Sequence, residues 1–145
     1  MRWVTRHNPH VDRCASIWLI KTFIDRDAIF EFISREEAVP DGALPFTLPG
    51  AELKPKNGRT TFDALVEKYE IKDPTVAQIQ RIIRDAEQAE ETGVYRLPES
   101  AGVFAILRGL DRISRSDQET AGRAMILMDS LYAELGHRTG LRMLE

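Results

Sequence analysis

Trp3-Val4-Thr5-Arg6-His7-Asn8-Pro9-His10-Val11-Asp12-Arg13 leads through Cys14-Ala15-Ser16-Ile17-Trp18-Leu19-Ile20 and Phe23-Ile24 to Ala28-Ile29-Phe30-Glu31-Phe32-Ile33. The opening Trp-Val-Thr is aromatic and β-branched and reads as a strand. Asn8-Pro9 breaks it, so Arg6–His10 forms a loop or a helix start. From Val11 to Ile24 the apolar residues cover nearly the whole circumference, which predicts a buried, central helix. Asn8 or Asp12 is placed to cap its start. Ala28–Ile33 is a second strand. Strand, helix and strand within about thirty residues match a βαβ unit, whose strands run parallel with a right-handed crossover.

Working outward, Ser34–Ala38 suggests a helical turn. Pro40–Asn57 carries Pro40, Gly42, Pro45, Pro49, Gly50 and Pro55 and reads as a long irregular connection. Phe46-Thr47-Leu48 and Ala51-Glu52-Leu53 could supply short strand pieces within it, and connections of this length are often functional. The second half has helical spacing. Phe62, Leu65, Val66 and Tyr69 follow a Thr60/Thr61 cap. Asp73-Pro74 opens the next helix with the stripe Val76, Ile79, Ile82, Ile83 and Ala86. Leu97-Pro98 begins another, and Ser116 with Glu119 forms a capping box for the last. The predicted class is α+β, mostly helical: a small sheet with an N-terminal βαβ unit, covered by a cluster of about five helices. Residues 1–145 read as one domain.

Composition narrows the function classes. Apolar residues at 43% and charged residues at 30% are globular rather than disordered proportions. The longest apolar run, Ile17–Ile20, is far short of the roughly 20 residues a spanning helix needs, so no membrane insertion is expected. The first residues lack the hydrophobic stretch of a secretion leader. Cys14 is the sole cysteine, which fits a reducing compartment, so the cytoplasm is the expected location. The formal charge of −3 argues against nucleic acid as a partner, since phosphate contacts need a basic face. Dense basic stretches occur at Arg6–Arg13 and Lys54–Arg59, without the interleaved aromatics of a single-strand groove.

The Arg6–Arg13 loop concentrates the most chemistry. Helix N-termini favour anions through unpaired N–H groups and the helix dipole. Arginine adds bidentate recognition of oxyanions. The bland alternative pairs Arg6 and Arg13 with nearby acids and leaves both histidines solvated. His7, His10 and Asp12 also suggest a divalent transition metal, although no zinc signature is present and a further ligand would have to come from Glu52, Asp63 or Cys14. His137 reads as a surface residue in a polar tail after the last helix. Cys14 follows Asp12-Arg13 in the first helical turn, where a lowered pKa would make it reactive, but a small core residue is the expected role. Asp63 reads as a first-turn dipole carboxylate, with a site acid as the alternative. Arg84-Asp85-Ala86-Glu87 through Glu91 looks like a solvated helix face.

Trp3-Val4-Thr5-Arg6, Val11-Asp12-Arg13, Ala15, Trp18-Leu19-Ile20 and Phe23-Ile24-Asp25 resemble the start of the ChrB-type chromate-resistance domain. Pro49-Gly50-Ala51-Glu52-Leu53, Thr61-Phe62-Asp63, Asp73-Pro74, Glu99-Ser100-Ala101-Gly102 and Met128-Asp129-Ser130-Leu131-Tyr132-Ala133 continue the resemblance along the chain. It implies a role in bacterial chromate resistance, with chromate, a tetrahedral dianion, as the partner. Family members often carry this domain behind a separate N-terminal region or beside a rhodanese-like domain; this sequence shows neither, so a regulator's DNA-binding function is not expected to carry over. Family members often have a histidine after the Gly-x-Glu-Leu stretch and a cysteine before Phe-Asp. Lys54-Pro55-Lys56 and Thr60-Thr61 stand there, so any metal or redox site built on those two is altered here.

The expectation is therefore a protein that binds or senses a small oxyanion, or a metal, between the Arg6–Arg13 loop and Asp63. The residues of that site are Arg6, His7, His10, Asp12, Arg13 and Asp63. A small metal- or thiol-dependent enzyme and an accessory interaction module, with a second copy among its partners, are the alternatives.

Overall fold

A computed structural model describes residues 1–144, with side chains through residue 140. The chain runs β1 (Arg2–Arg6), α1 (Val11–Leu19), β2 (Ile29–Ile33), β3 (Leu44–Pro45), α2 (Thr61–Lys68), α3 (Pro74–Thr92), α4 (Pro98–Ile113) and α5 (Asp117–Leu144). The α+β, mostly helical class is as the sequence suggests. The sheet has the order β2-β1-β3 and all neighbours are parallel. Trp3 lies opposite Phe30 and Val4 opposite Pro45. The βαβ expectation thus holds, and the third strand is Leu44–Pro45 rather than Phe46–Leu48, which begins with a single bridge from Phe46 to Leu53.

Strand alternation divides the core. Trp3 points to the side where the helices gather, while Val4 packs with Ile33, Leu48 and Ala51 on the other. The long connection therefore earns its order by covering the second face of the sheet. α1 is buried along almost its full length, as its all-round apolar sequence requires. Its Trp18 stacks on Phe62 with centroids 6.5 Å apart and planes 3° from parallel, and its indole N–H donates to Asp129 Oδ1 at 2.8 Å.

α1 does not end cleanly. Ile20–Ile24 forms a π-helical turn, closed by the Asp25 N–H donating to the Ile20 carbonyl at 2.7 Å. The extra residue lets Phe23 reach Trp18 and Tyr132, while Asp25 accepts from Trp3 Nε1 and the N-terminal ammonium. α2 begins with a Thr60–Asp63 capping box, and α3 with Asp73 accepting from the Thr75 and Val76 N–H groups. Ser116 Oγ accepts the Glu119 N–H at the start of α5. α5 continues through His137, so that exposed residue lies on a helix and not in a tail. No helix among the described residues is long and apolar enough to cross a membrane.

Candidate functional site

The two arginines of the β1–α1 loop hold its main chain. Arg13 turns back from the first turn of α1; its Nη1 donates to the Arg6 carbonyl at 2.6 Å and the His7 carbonyl at 3.2 Å, and its Nη2 to the Asn8 carbonyl at 2.7 Å. The planar fork suits three carbonyls gathered by a loop whose Asn8 sits at φ 57°. Arg6 Nη1 donates to the Ser34 carbonyl at 2.7 Å, past the end of β2. Among the described residues neither guanidinium pairs with a carboxylate.

The histidines are tied to the far helices. His7 Nδ1 lies 2.7 Å from Asp117 Oδ2, and the same carboxylate accepts the Asn8 N–H at 3.0 Å. His10 Nε2 lies 3.4 Å from Asp111 Oδ2, and burial, reinforced by the Arg108 charge, pulls its pKa below the usual value despite that partner. Among the described residues no three His, Cys, Asp or Glu side chains gather as a metal-holding group, so His7, His10 and Asp12 do not converge. Cys14 is buried with its thiol 3.3 Å from the Pro9 carbonyl, and burial pushes its pKa up to about 12. Its place in the first turn of buried α1 is that of a core residue.

Asp12 and Asp63 meet at the start of α2. Asp12 Oδ2 accepts the Thr61 N–H at 2.8 Å and Oδ1 the Phe62 N–H at 3.0 Å, so a carboxylate from one helix satisfies the free donors of another. Burial pushes the Asp12 carboxyl above its ordinary range against the pull of those two N–H groups. Asp63 caps its own helix and accepts from Gln80 Nε2 at 2.9 Å and from Arg84 Nη2 at 2.8 Å. Burial raises its pKa, but the bonds from Arg84, the Thr60 N–H and Gln80 outweigh it and hold the carboxyl below the usual value. The motifs Asp12-Arg13 and Phe62-Asp63 are therefore joined directly.

Above this junction opens a crevice of about 350 Å³ between the start of α1, α3 and the Lys54–Arg59 segment. That segment is a tight hairpin: Lys56 and Arg59 exchange main-chain bonds of 2.9 and 3.0 Å across Asn57 (φ 52°) and Gly58 (φ 76°). Two consecutive positive φ values are what an Asn-Gly turn accommodates. Lys56, Arg59 and Arg84 supply the cations; Asp12, Glu87, Glu90 and Glu91 supply acids. A second recess of about 170 Å³ adjoins it, sharing Asp12, Pro55, Glu87 and Glu90 and adding His10, Arg13 and Thr47. Arg13 and Thr47 follow shortly after β1 and β3, so the crevice lies beyond the carboxyl ends of parallel strands, the usual ligand position in such sheets.

The acidic stretch on α3 is where sequence reasoning missed most. Glu87 Oε1 accepts the Asp12 N–H at 3.0 Å and so caps α1 from outside. Burial, then the neighbouring Asp12 charge, pushes the Glu87 carboxyl up to about 7. Arg84 reaches Asp63, and Asp85 accepts the Arg96 and Leu97 N–H groups that lead into α4. Only Gln88, Glu90 and Glu91 of this stretch stand exposed. The signal was present in the spacing: Glu87 lies four residues after buried Ile83, at the edge of the apolar stripe.

Fold and crevice define an α+β protein with a charged crevice at the strand ends of an N-terminal βαβ unit. The chain belongs to the family described as "ChrB, C-terminal domain", which it matches over residues 3–135. It is 30% identical over 132 residues to Protein ChrB of Cupriavidus metallidurans, an alignment covering 90% of this chain and 40% of that protein. The chain thus spans about two-fifths of the length of that relative. No solved structure matches it.

Proposed function

We propose that the chain is a chromate-resistance-type protein that binds or senses a small tetrahedral oxyanion such as chromate in the crevice beside the start of α1. One observation carries this reading: Lys56, Arg59 and Arg84 reach one crevice from two separate segments, at the strand ends. Lys56 has no ion-pair partner among the described residues, and Arg59 has only the distant Glu67 carboxylate at 3.9 Å. Asp12 turns its charge into the start of α2 and Glu90 faces Arg108 at 3.3 Å, so two of the crevice's four acids are already answered. Arg84 is answered by Asp63, which leaves Lys56 and Arg59 as the cations open to a ligand. Membership of the ChrB family supports the choice of anion. The Arg6–Arg13 loop contributes Arg13 as the brace of the crevice's edge, with Asp12 forming its floor.

Isothermal titration with chromate and with redox-inert sulfate tests the reading. Saturable binding to the wild type and a loss of at least tenfold in a Lys56→Ala/Arg59→Ala variant are expected, with unchanged circular dichroism. Absence of saturable binding to the wild type, or equal binding by the variant, overturns it.

A further inference from the structure

We infer that the crevice takes up one proton with each oxyanion, and that Glu87 carries it. The inference rests on the oxyanion reading above and concerns how that site is regulated.

Glu87 lines both recesses, on the wall facing the hairpin cations. Its Oε1 is engaged by the Asp12 N–H, and its Oε2 has no hydrogen-bond partner among the described residues. The charged groups around it come from each neighbouring element. Asp12 and Arg13 belong to α1, with His10 just before them, and the hairpin adds Lys56 and Arg59. Arg84, Glu90 and Glu91 share its own helix. Asp63, on α2, faces Arg84. Asp12 is spent on α2, Arg84 on Asp63, and Glu90 on Arg108, while Arg13 is spent on loop carbonyls. What remains to meet an occupant is Lys56 and Arg59 on one side and the Glu87 and Glu91 carboxyls on the other, Glu91 exposed to solvent and Glu87 half-buried.

A bare carboxylate at that position repels a dianion, and in a half-buried site water screens the repulsion poorly. The protonated carboxyl instead donates its O–H to an oxyanion oxygen, a short charge-assisted bond. Burial has already moved this carboxyl to about 7, so the proton is available near neutral pH, and a bound dianion draws it on further. The step balances simply: Glu87 carboxylate, one proton from solvent and the dianion give a neutral carboxyl hydrogen-bonded to the dianion. No bond within the oxyanion changes.

Sulfate is the probe, because it does not itself titrate between pH 6 and 8 and any pH dependence belongs to the protein. With a carboxyl near 7 and binding only to its neutral form, the sulfate affinity of the wild type falls about tenfold from pH 6 to pH 8. Titration at pH 8 in buffers of different ionisation enthalpy then reports close to one proton taken up per sulfate. Glu87→Gln, a neutral side chain of the same shape, binds sulfate with an affinity that no longer depends on pH and takes up no proton. His10 would also favour an anion on protonation, so His10→Asn separates the two; it retains the wild-type slope if Glu87 is the carrier. A flat wild-type affinity with no proton uptake overturns the inference while leaving oxyanion binding in place. A slope that survives Glu87→Gln or disappears in His10→Asn overturns it as well. Failure of both wild type and Glu87→Gln to bind sulfate or chromate at any pH overturns the underlying reading instead.

Discussion

Replacing Asp12 with alanine removes a side chain that satisfies two main-chain donors of a different helix. The Thr61 and Phe62 N–H groups are buried and accepted at 2.8 and 3.0 Å, both by a charged oxygen. Hydrogen bonds to charged groups contribute about 1.5–3 kcal/mol each, which bounds the loss near 6 kcal/mol. Two features reduce it. The Thr60–Asp63 box still caps α2, and Asp12 lines the crevice, so water can reach part of the vacated space. The expected loss is about 3 kcal/mol, or a fall in Tm of roughly 10 °C for a chain of this size. Asp12→Asn keeps one acceptor and the shape, and relieves the burial penalty on the charge; its expected loss is about 1 kcal/mol. Urea unfolding followed by tryptophan fluorescence reads both, because Trp3 and Trp18 are fully buried and Trp18 stacks on Phe62 beside the clamp. A loss below about 1 kcal/mol for alanine, or an equal loss for asparagine and alanine, refutes the charge-assisted clamp.

Two further outcomes follow from the same region. Arg13→Lys should destabilise by about 1–2 kcal/mol, nearly as much as Arg13→Ala, since an ammonium on a flexible stem cannot fork onto three carbonyls; full retention of Tm by the lysine variant would contradict the bracing role. Cys14, buried with its pKa pushed up to about 12, should stay silent to a thiol-reactive disulfide reagent at pH 8 in the folded protein and react stoichiometrically in urea; rapid reaction without denaturant would show that the thiol is accessible.

The βαβ unit was legible because strand, all-round apolar helix and strand are local patterns in Trp3–Ile33. The helix starts at Thr60, Asp73, Leu97-Pro98 and Ser116 were legible for the same reason, since capping chemistry acts within a few residues. What escaped is non-local. The basic loop reads as an anion site when its neighbours are unknown, but Arg6 and Arg13 find carbonyls that only the folded chain brings near. Arg84 and Glu87 look solvated when taken as a charged run, and their partners, Asp63 and the Asp12 N–H, lie 21 and 75 residues away. The third strand was placed a little late, at Phe46, because a strand of two residues, one of them proline, carries no periodicity to read. The π-helical turn left no signal in Ile20–Ile24, because Lys21-Thr22 between Ile20 and Phe23-Ile24 suits the exposed side of an ordinary α-helix equally well.

The three carboxylates at the helix junction close a ring. Glu87 of α3 caps α1, Asp12 of α1 caps α2, and Asp63 of α2 receives Gln80 and Arg84 of α3. Such a cycle has no first member. None of these helix starts can fray on its own without stranding a partner in the next, so opening one costs nearly as much as opening all. Local excursions are thereby exchanged for a single cooperative transition, and the segments around the crevice belong to one folding unit even though they come from distant parts of the chain. Rigidity at this junction comes from mutual dependence among helices rather than from any one strong contact.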